Sequence, residues 1–126
     1  MSEFNLFVYG TLRSAGGASH RLSGCSLVGA ATMTGTLYDI EGRFPALLRY
    51  GGDIVHGELW RCPADLLPAL DGYEGVEEGL FRRIGEEAVL PDGERVACWV
   101  YAAGPALSRK LTPEMRVLSG RWPTPA

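Results

Sequence analysis

A glycine-containing segment, residues 8–13 (VYGTLR), follows an apolar run and has the composition of an anion-binding loop. Gly10 lets the backbone turn sharply and approach a ligand, so that the N–H groups of Gly10, Thr11 and Leu12 can converge on one point. Such donors suit a carboxylate, or the oxyanion that develops when an amide carbonyl is attacked. Because a glycine turn that only ends a strand has the same sequence, the segment needs a partner motif before it indicates a site.

The partner motif is residues 70–75 (LDGYEG), in which Glu74 stands between two glycines at the end of a predicted apolar helix. A carboxylate held against an apolar wall has a raised pKa and can act as a base near neutral pH. Glu77 and Glu78 lie in an acidic stretch typical of a solvated loop, which favours Glu74 as the acid/base. We interpret Asp71 as a capping or turn residue.

Several strands and few helices must position these segments. A helix is predicted over 63–72, with Pro68 in its first turn if Asp65 is the N-cap, and a short helix over 20–25 with Ser19 as its cap. Hairpin turns are predicted at 51–53 (GGD) and 91–93 (PDG). Apolar, β-branched and aromatic runs predict strands over 5–9, 27–40, 46–50, 54–60, 81–90 and 95–102.

The strand predicted over 95–102 is largely apolar on both faces, so both faces must be covered. A curled sheet that encloses side chains inside and carries helices outside meets that requirement. Six or seven strands against two or three short helices then predict an α+β protein: a small mixed, mainly antiparallel β-barrel with short helices packed outside. The length of 126 residues predicts a single domain, 1–126.

The composition excludes several classes of function. A net charge of −3 and the lack of a basic stripe argue against binding to nucleic acid. No apolar run is long enough to span a membrane, and the first residues lack the design of a secretory signal. The cysteines are three in number, widely spaced and without a CxxC motif, which predicts reduced thiols in a cytoplasmic protein.

A thiol or serine hydrolase is a rival hypothesis, with Cys25 or Ser14 as nucleophile and His20 or His56 as base. No nucleophile elbow surrounds either nucleophile, and apolar neighbours make Cys25 typical of a core residue. With two scattered histidines and isolated cysteines, we expect no metal site and no cofactor.

These segments, taken together, resemble the gamma-glutamylcyclotransferase-like family. The resemblance rests on residues 8–13 and 70–75 and on Phe81-Arg82-Arg83 leading to Trp99-Val100-Tyr101. Lesser landmarks at 44–47 (FPAL), 57–60 (GELW) and 119–122 (SGRW) follow in the family's order, so the resemblance covers nearly the whole chain.

The resemblance implies an enzyme that converts a γ-glutamyl amine or amino acid to 5-oxoproline and a free amine. The substrate's α-amine attacks its own γ-carbonyl, and the glutamate matching Glu74 moves the proton as general acid/base. The amides of Gly10, Thr11 and Leu12 would hold the carboxylate or the oxyanion. The reaction needs one proton shuttle and no metal.

Tyr9, Arg83 and Tyr101 are further candidates for substrate binding. The family often has a tyrosine where this chain has Phe81, so any hydroxyl contact expected there is lost. Glu58, in the middle of a strand, is expected to pair with an arginine for structural reasons.

The sequence determines neither the identity of the leaving amine nor the oligomeric state. An amino acid, a lysine isopeptide, a polyamine or a natural-product precursor would present the same γ-glutamyl end. A non-catalytic small-molecule binding protein on the same fold is the alternative function, because a fold does not guarantee turnover.

Overall fold

The computed structural model describes residues 2–14 and 16–122, and its central feature is a closed barrel of five strands in the order β1-β3-β2-β4-β5. β1 pairs with β5 in parallel, and the other neighbours are antiparallel. The predicted mixed, mainly antiparallel barrel is therefore confirmed. The strands are β1 (Glu3–Val8), β2 (Ser26–Ile40), β3 (Phe44–Pro63), β4 (Phe81–Val89) and β5 (Arg95–Ala103).

Two apolar cores cover the two faces of the barrel wall. Alternate strand residues such as Phe7, Leu59 and Val100 fill the interior. Their neighbours, among them Leu6 and Tyr101, join a second core that also takes in side chains from the helices and the long loop. The expectation that a strand apolar on both faces is covered twice is thus confirmed.

The hairpin predicted at 51–53 is wrong, because β3 runs through this stretch as one strand. Leu48 lies opposite Thr36 and Asp53 opposite Gly35, so the four residues between them bulge out of the ladder. The Thr36 hydroxyl donates to the Tyr50 carbonyl at 2.7 Å and fixes the bulge. Five strands replace the predicted six or seven for this reason. The turn predicted at 91–93 is confirmed between β4 and β5.

The helices are shorter than predicted. Residues 63–72 form a 3₁₀ turn, Ala64–Leu66, followed by helix α1, Leu67–Tyr73. Pro68 falls in the first turn of α1, where its missing N–H costs little, but Asp65 does not cap α1. The region 20–25 contains only a 3₁₀ turn, Ser19–Leu22, which begins after Ala18 with no side-chain cap. A second helix, α2 (Pro105–Ser108), follows β5.

Candidate active site

A pocket of about 270 Å³ opens where the end of β1 meets the end of α1. Six predicted site residues line it: Tyr9, Gly10, Thr11, Leu12, Glu74 and Tyr101. Arg83, the seventh, is not part of the lining. The other lining residues are Phe7, Val8, Arg43, Phe44, Pro45, Tyr73, Leu80 and Phe81. The barrel fold brings the two motifs, residues 8–13 and 70–75, to the same cavity although they are far apart in the sequence.

The loop after β1 begins with a tight turn in which the Arg13 amide donates to the Gly10 carbonyl at 3.1 Å. Such a turn leaves the amides of its central residues, here Thr11 and Leu12, without a partner inside it. Within 2–14 and 16–122, no protein group accepts from the amides of Gly10, Thr11 and Leu12. The geometry therefore leaves three donors available at the pocket.

Gly10 is required for close packing and not for an unusual backbone angle. Its φ is not among the positive values of the chain. A Cβ at this position would lie 2.6 Å from Pro45 Cγ, which is closer than real side chains approach. The expected turn is present and begins at Gly10 with an ordinary backbone angle, while the close contact between the loop and the start of β3 is what requires glycine.

Glu58 anchors the other end of this loop. Its carboxylate accepts from the Ser14 amide and from the Ser14 hydroxyl, both at 2.7 Å, and from the Trp60 indole at 3.2 Å. Within the described residues Glu58 forms no ion pair, so the expected pairing with an arginine is wrong. The Glu58 carboxylate instead holds the loop in place through charge-assisted hydrogen bonds from Ser14.

Glu74 is the C-terminal cap residue of α1, and Gly75 follows with φ 66°. A left-handed glycine at this position ends the helix and directs the glutamate away from the helix axis. Burial raises the pKa of Glu74 from 4.5 to about 7, and the charge of Arg21 partly offsets this effect. Glu77 and Glu78 are exposed and lie outside the lining. The preference for Glu74 thus rests on the cavity as well as on the sequence.

Thr11 and Tyr73 connect the two motifs directly, since their hydroxyl oxygens lie 3.1 Å apart. The guanidinium of Arg21 stacks over the Tyr73 ring at 4.0 Å from its centroid, a cation–π contact. The loop from Gly10 to Leu22 is therefore attached to the end of α1 beside the carboxylate.

Tyr9 is buried and its hydroxyl is used within the protein. It donates to the Tyr101 carbonyl and accepts from the Leu47 amide at 3.1 Å. Burial, with the nearby negative charge of Glu74, raises the pKa of this phenol well above its usual range. Tyr9 is a neutral cross-link between three strands whose ring forms part of the pocket wall.

Arg83 and Asp71 form a pair behind the pocket. Arg83 Nε donates to Asp71 Oδ1 at 3.0 Å, and the Tyr101 hydroxyl donates to the same oxygen at 2.6 Å. The Arg83 guanidinium also stacks on the Trp99 ring at 4.5 Å. Asp71 is therefore an ion-pair partner and not the expected capping residue. The geometry gives Arg83 a positioning role toward Tyr101, while its contact with substrate stays a prediction.

The structure does not assemble the rival hydrolase site. Cys25, Ser14, His20 and His56 all lie outside the pocket lining. The Ser14 hydroxyl is committed to Glu58, and burial raises the pKa of the Cys25 thiol, which disfavours the nucleophilic thiolate.

Sequence reasoning missed that Arg43, Phe44 and Pro45 line the pocket, Arg43 from the turn between β2 and β3 and the other two from the start of β3. The FPAL landmark was the available signal, but its residues carry no spacing that predicts a cavity. Phe81 lines the pocket, so the position where the family often has a tyrosine faces the cavity and offers no hydroxyl there.

Neither a metal centre nor a membrane span is found in the described part of the chain. There, no three His, Cys, Asp or Glu side chains are grouped as possible metal ligands. No helix in that part is long and apolar enough to cross a membrane.

A family model described as gamma-glutamyl cyclotransferase, AIG2-like, matches residues 6–124. The match includes both motifs and the last strand, and the resemblance seen in the sequence is confirmed. No curated protein matches the chain.

Solved structures show the same fold at low sequence identity. An AIG2-like protein from Mus musculus superposes with a TM-score of 0.79 at 22% identity, over 97% of this chain and 89% of that one. YkqA from Bacillus subtilis gives 0.76 at 18% identity over 96% of this chain, which spans 40% of that longer protein. A structure named gamma-glutamyl cyclotransferase gives 0.69 at 21% identity, covering 81% of this chain and 67% of that one.

Proposed function

Because the chain belongs to the gamma-glutamyl cyclotransferase, AIG2-like family, we propose that it converts a γ-glutamyl amine or amino acid to 5-oxoproline and a free amine. The observation that carries the proposal is Glu74. It is a carboxylate in a largely apolar pocket, with a pKa raised to about 7, beside a loop with unused amide donors.

Glu74 acts as the proton shuttle in this mechanism. As carboxylate it takes a proton from the substrate's α-ammonium group, and the freed amine attacks the γ-carbonyl to form a five-membered ring. Collapse of the tetrahedral intermediate breaks the γ-amide bond while Glu74 returns the proton to the departing amine. The ring nitrogen gives up a second proton, which the amine also takes, so that the amine leaves as an ammonium ion and Glu74 is again a carboxylate. A group with a pKa near the working pH serves in both directions, and ring closure within one bound conformer avoids a bimolecular encounter.

The loop amides of Gly10, Thr11 and Leu12 bind the negative charge of the substrate. Two anions need donors during the reaction, the α-carboxylate and the oxyanion on the γ-carbon. Fixed backbone donors stabilise such charge without reorganising as it develops. The side chain of Thr11 faces Tyr73 instead, so its amide is the group we assign to the substrate.

Tyr9, Tyr101 and Arg83 support the bound substrate to different degrees. Tyr9 and Tyr101 contribute their rings to the pocket wall, and Arg83 acts through Asp71 to fix Tyr101. Loss of Arg83 would remove the partner that holds Asp71, the acceptor of the Tyr101 hydroxyl, in its position. Arg83 is thus a positioning residue in this proposal.

We propose a metal-independent reaction, because one carboxylate and fixed amides supply every proton and charge that ring closure requires. A cytoplasmic location is part of the same proposal and rests on three free cysteines, of which Cys62 and Cys98 are buried.

The experiment is an assay for 5-oxoproline with several γ-glutamyl amides. Glu74→Gln should fold and bind 5-oxoproline but lose about 10²- to 10⁴-fold in turnover, the usual cost of removing a general base. Glu77→Gln, which changes an exposed glutamate three residues away, is the matched control and should stay active. Binding of 5-oxoproline without turnover of any γ-glutamyl amide by the unaltered protein would instead identify a non-catalytic binding protein.

A further inference from the structure

Arg43 is a cation at the pocket that no carboxylate of the described residues neutralises. Among the described lining residues it carries the one positive side chain. No carboxylate within 2–14 and 16–122 forms an ion pair with it, whereas Arg83 and Arg116 each pair with an aspartate. Its guanidinium therefore keeps its hydrogen-bond donors for a ligand.

The turn that carries Arg43 is held firmly. Glu41 and Gly42 are the central residues of a turn closed by the Arg43 amide, which donates to the Ile40 carbonyl at 2.9 Å, and both adopt left-handed backbone angles, φ 55° and 72°. The Asp39 carboxylate accepts from the Gly42 amide at 3.1 Å and from the Trp122 indole at 2.9 Å. A glutamate in this conformation costs free energy that the surrounding contacts must offset, so Arg43 projects from a defined position.

Arg43 lies at the mouth of the pocket, which we define by Arg43, Tyr73 and Leu80. All three are exposed, with Tyr73 at 37% and Leu80 at 41%. Tyr9 and Tyr101, in contrast, form the floor at 6% and 4%. A substrate whose α-amine reaches the half-buried Glu74 must direct its γ-glutamyl end inward and its leaving amine toward the mouth.

We propose that Arg43 determines specificity by binding an anionic group on the leaving amine, an inference that rests on the proposed function. The preferred substrates are then γ-glutamyl amides of amines that carry a carboxylate close to the nitrogen. Guanidinium is suited to this task because its planar donors match a carboxylate in two parallel hydrogen bonds.

The same charge disfavours other leaving amines. A γ-glutamylated polyamine would bring a second cation toward Arg43, and like charges at short range repel. A simple alkylamine would contact the apolar side chains of Leu80 and Phe81 but leave the guanidinium unused. Discrimination therefore comes from one attractive and one repulsive effect at the same residue.

The test compares γ-glutamyl-alanine with γ-glutamyl-ethylamine, which differ by the leaving amine's carboxylate alone, and with γ-glutamyl-putrescine. Rates of 5-oxoproline formation are measured for the unaltered protein, Arg43→Gln and Arg61→Gln. Arg61 is an exposed arginine of β3 outside the lining, so its variant controls for loss of one positive charge.

We expect the unaltered protein to prefer γ-glutamyl-alanine over γ-glutamyl-ethylamine by about tenfold in kcat/KM. This is the lower range for a hydrogen bond to a charged group, because the guanidinium is exposed. Arg43→Gln should abolish that preference by slowing the alanine substrate alone and should raise the rate with γ-glutamyl-putrescine. Arg61→Gln should keep the preference.

Two results would overturn the inference while leaving the proposed function standing. One is an equal loss with all three substrates in Arg43→Gln, which would place the guanidinium on the glutamyl end. The other is an unaltered protein without preference for the carboxylate-bearing amine. If the unaltered protein forms no 5-oxoproline from any of the three, the proposed function fails and the inference falls with it.

Discussion

Replacement of Glu74 by glutamine should stabilise the protein at alkaline pH, because the folded chain buries this carboxylate. The folded-state pKa of about 7 lies above the ordinary 4.5, so between these values the native state binds more protons than the unfolded state. Stability must then fall as pH rises through this window. A glutamine at this position carries no charge to bury and lacks that penalty.

The size of the effect follows from the two pKa values. A tenfold change in proton affinity corresponds to about 1.4 kcal/mol, so the difference between 4.5 and about 7 sets an upper limit of about 3 kcal/mol. Glu74 keeps some exposure to solvent, and glutamine is itself polar. We therefore expect a gain of about 1–2 kcal/mol in the free energy of unfolding at pH 8, or about 3–8 °C in Tm.

Urea or thermal unfolding of Glu74→Gln and of the unaltered protein at pH 5 and pH 8 measures this gain in the free energy of unfolding. The advantage of Glu74→Gln should be large at pH 8 and much smaller at pH 5, where the native glutamate is protonated. Glu77→Gln, which changes an exposed glutamate three residues away, is unfolded under the same conditions as the control. Equal stability of Glu74→Gln and the unaltered protein at both pH values would refute the argument that a buried charge is maintained here.

Three further predictions concern the reaction. The kcat/KM for a γ-glutamyl amide should fall about tenfold per pH unit below pH 7, because protonated Glu74 cannot accept a proton; a rate that stays level down to pH 5 would contradict this. Gly10→Ala should lower kcat/KM about 10- to 100-fold, because the new methyl group would lie 2.6 Å from Pro45 and displace the amide donors. Gly17→Ala is the control and should be neutral in the same assay, because a methyl group at Gly17 would have no neighbouring atom within 4 Å. Chelation by EDTA and brief thiol alkylation should leave turnover unchanged. Loss of activity in a still-folded sample would contradict the metal-independent mechanism in the first case and revive the thiol hypothesis in the second.

The sequence predicts those features whose cause is local. Apolar runs and the turn at 91–93 specify the β4–β5 hairpin, and the apolar frame of Glu74 identifies the carboxylate. The glycines at 51–53 are ambiguous, because the same residues suit a hairpin turn and a bulge. Pairing of β3 with one continuous partner, β2, decides between them.

Contacts made by barrel closure are beyond sequence reasoning. Ser14 and Glu58 are 44 positions apart, and their hydrogen bonds depend on how β1 and β3 align. Arg43 reaches the pocket because the β2–β3 turn lies next to the loop after β1, a placement that no spacing in the chain specifies. The charged residue at the mouth was missed for that reason.

The seam where the barrel closes has a consequence for how the protein acquires its pocket. β1 and β5 run in parallel, so Tyr9 and Tyr101 emerge at the same edge, joined by a hydrogen bond across 92 positions of the chain. Closing a loop of that length costs about 4 kcal/mol in chain entropy beyond a constant, and contacts of such separation form slowly. During synthesis this edge of β1 stays unpaired until β5 has emerged from the ribosome. The binding pocket is therefore a late product of folding, and a chain cut short before β5 would contain Glu74 and its loop without a wall to hold substrate against them.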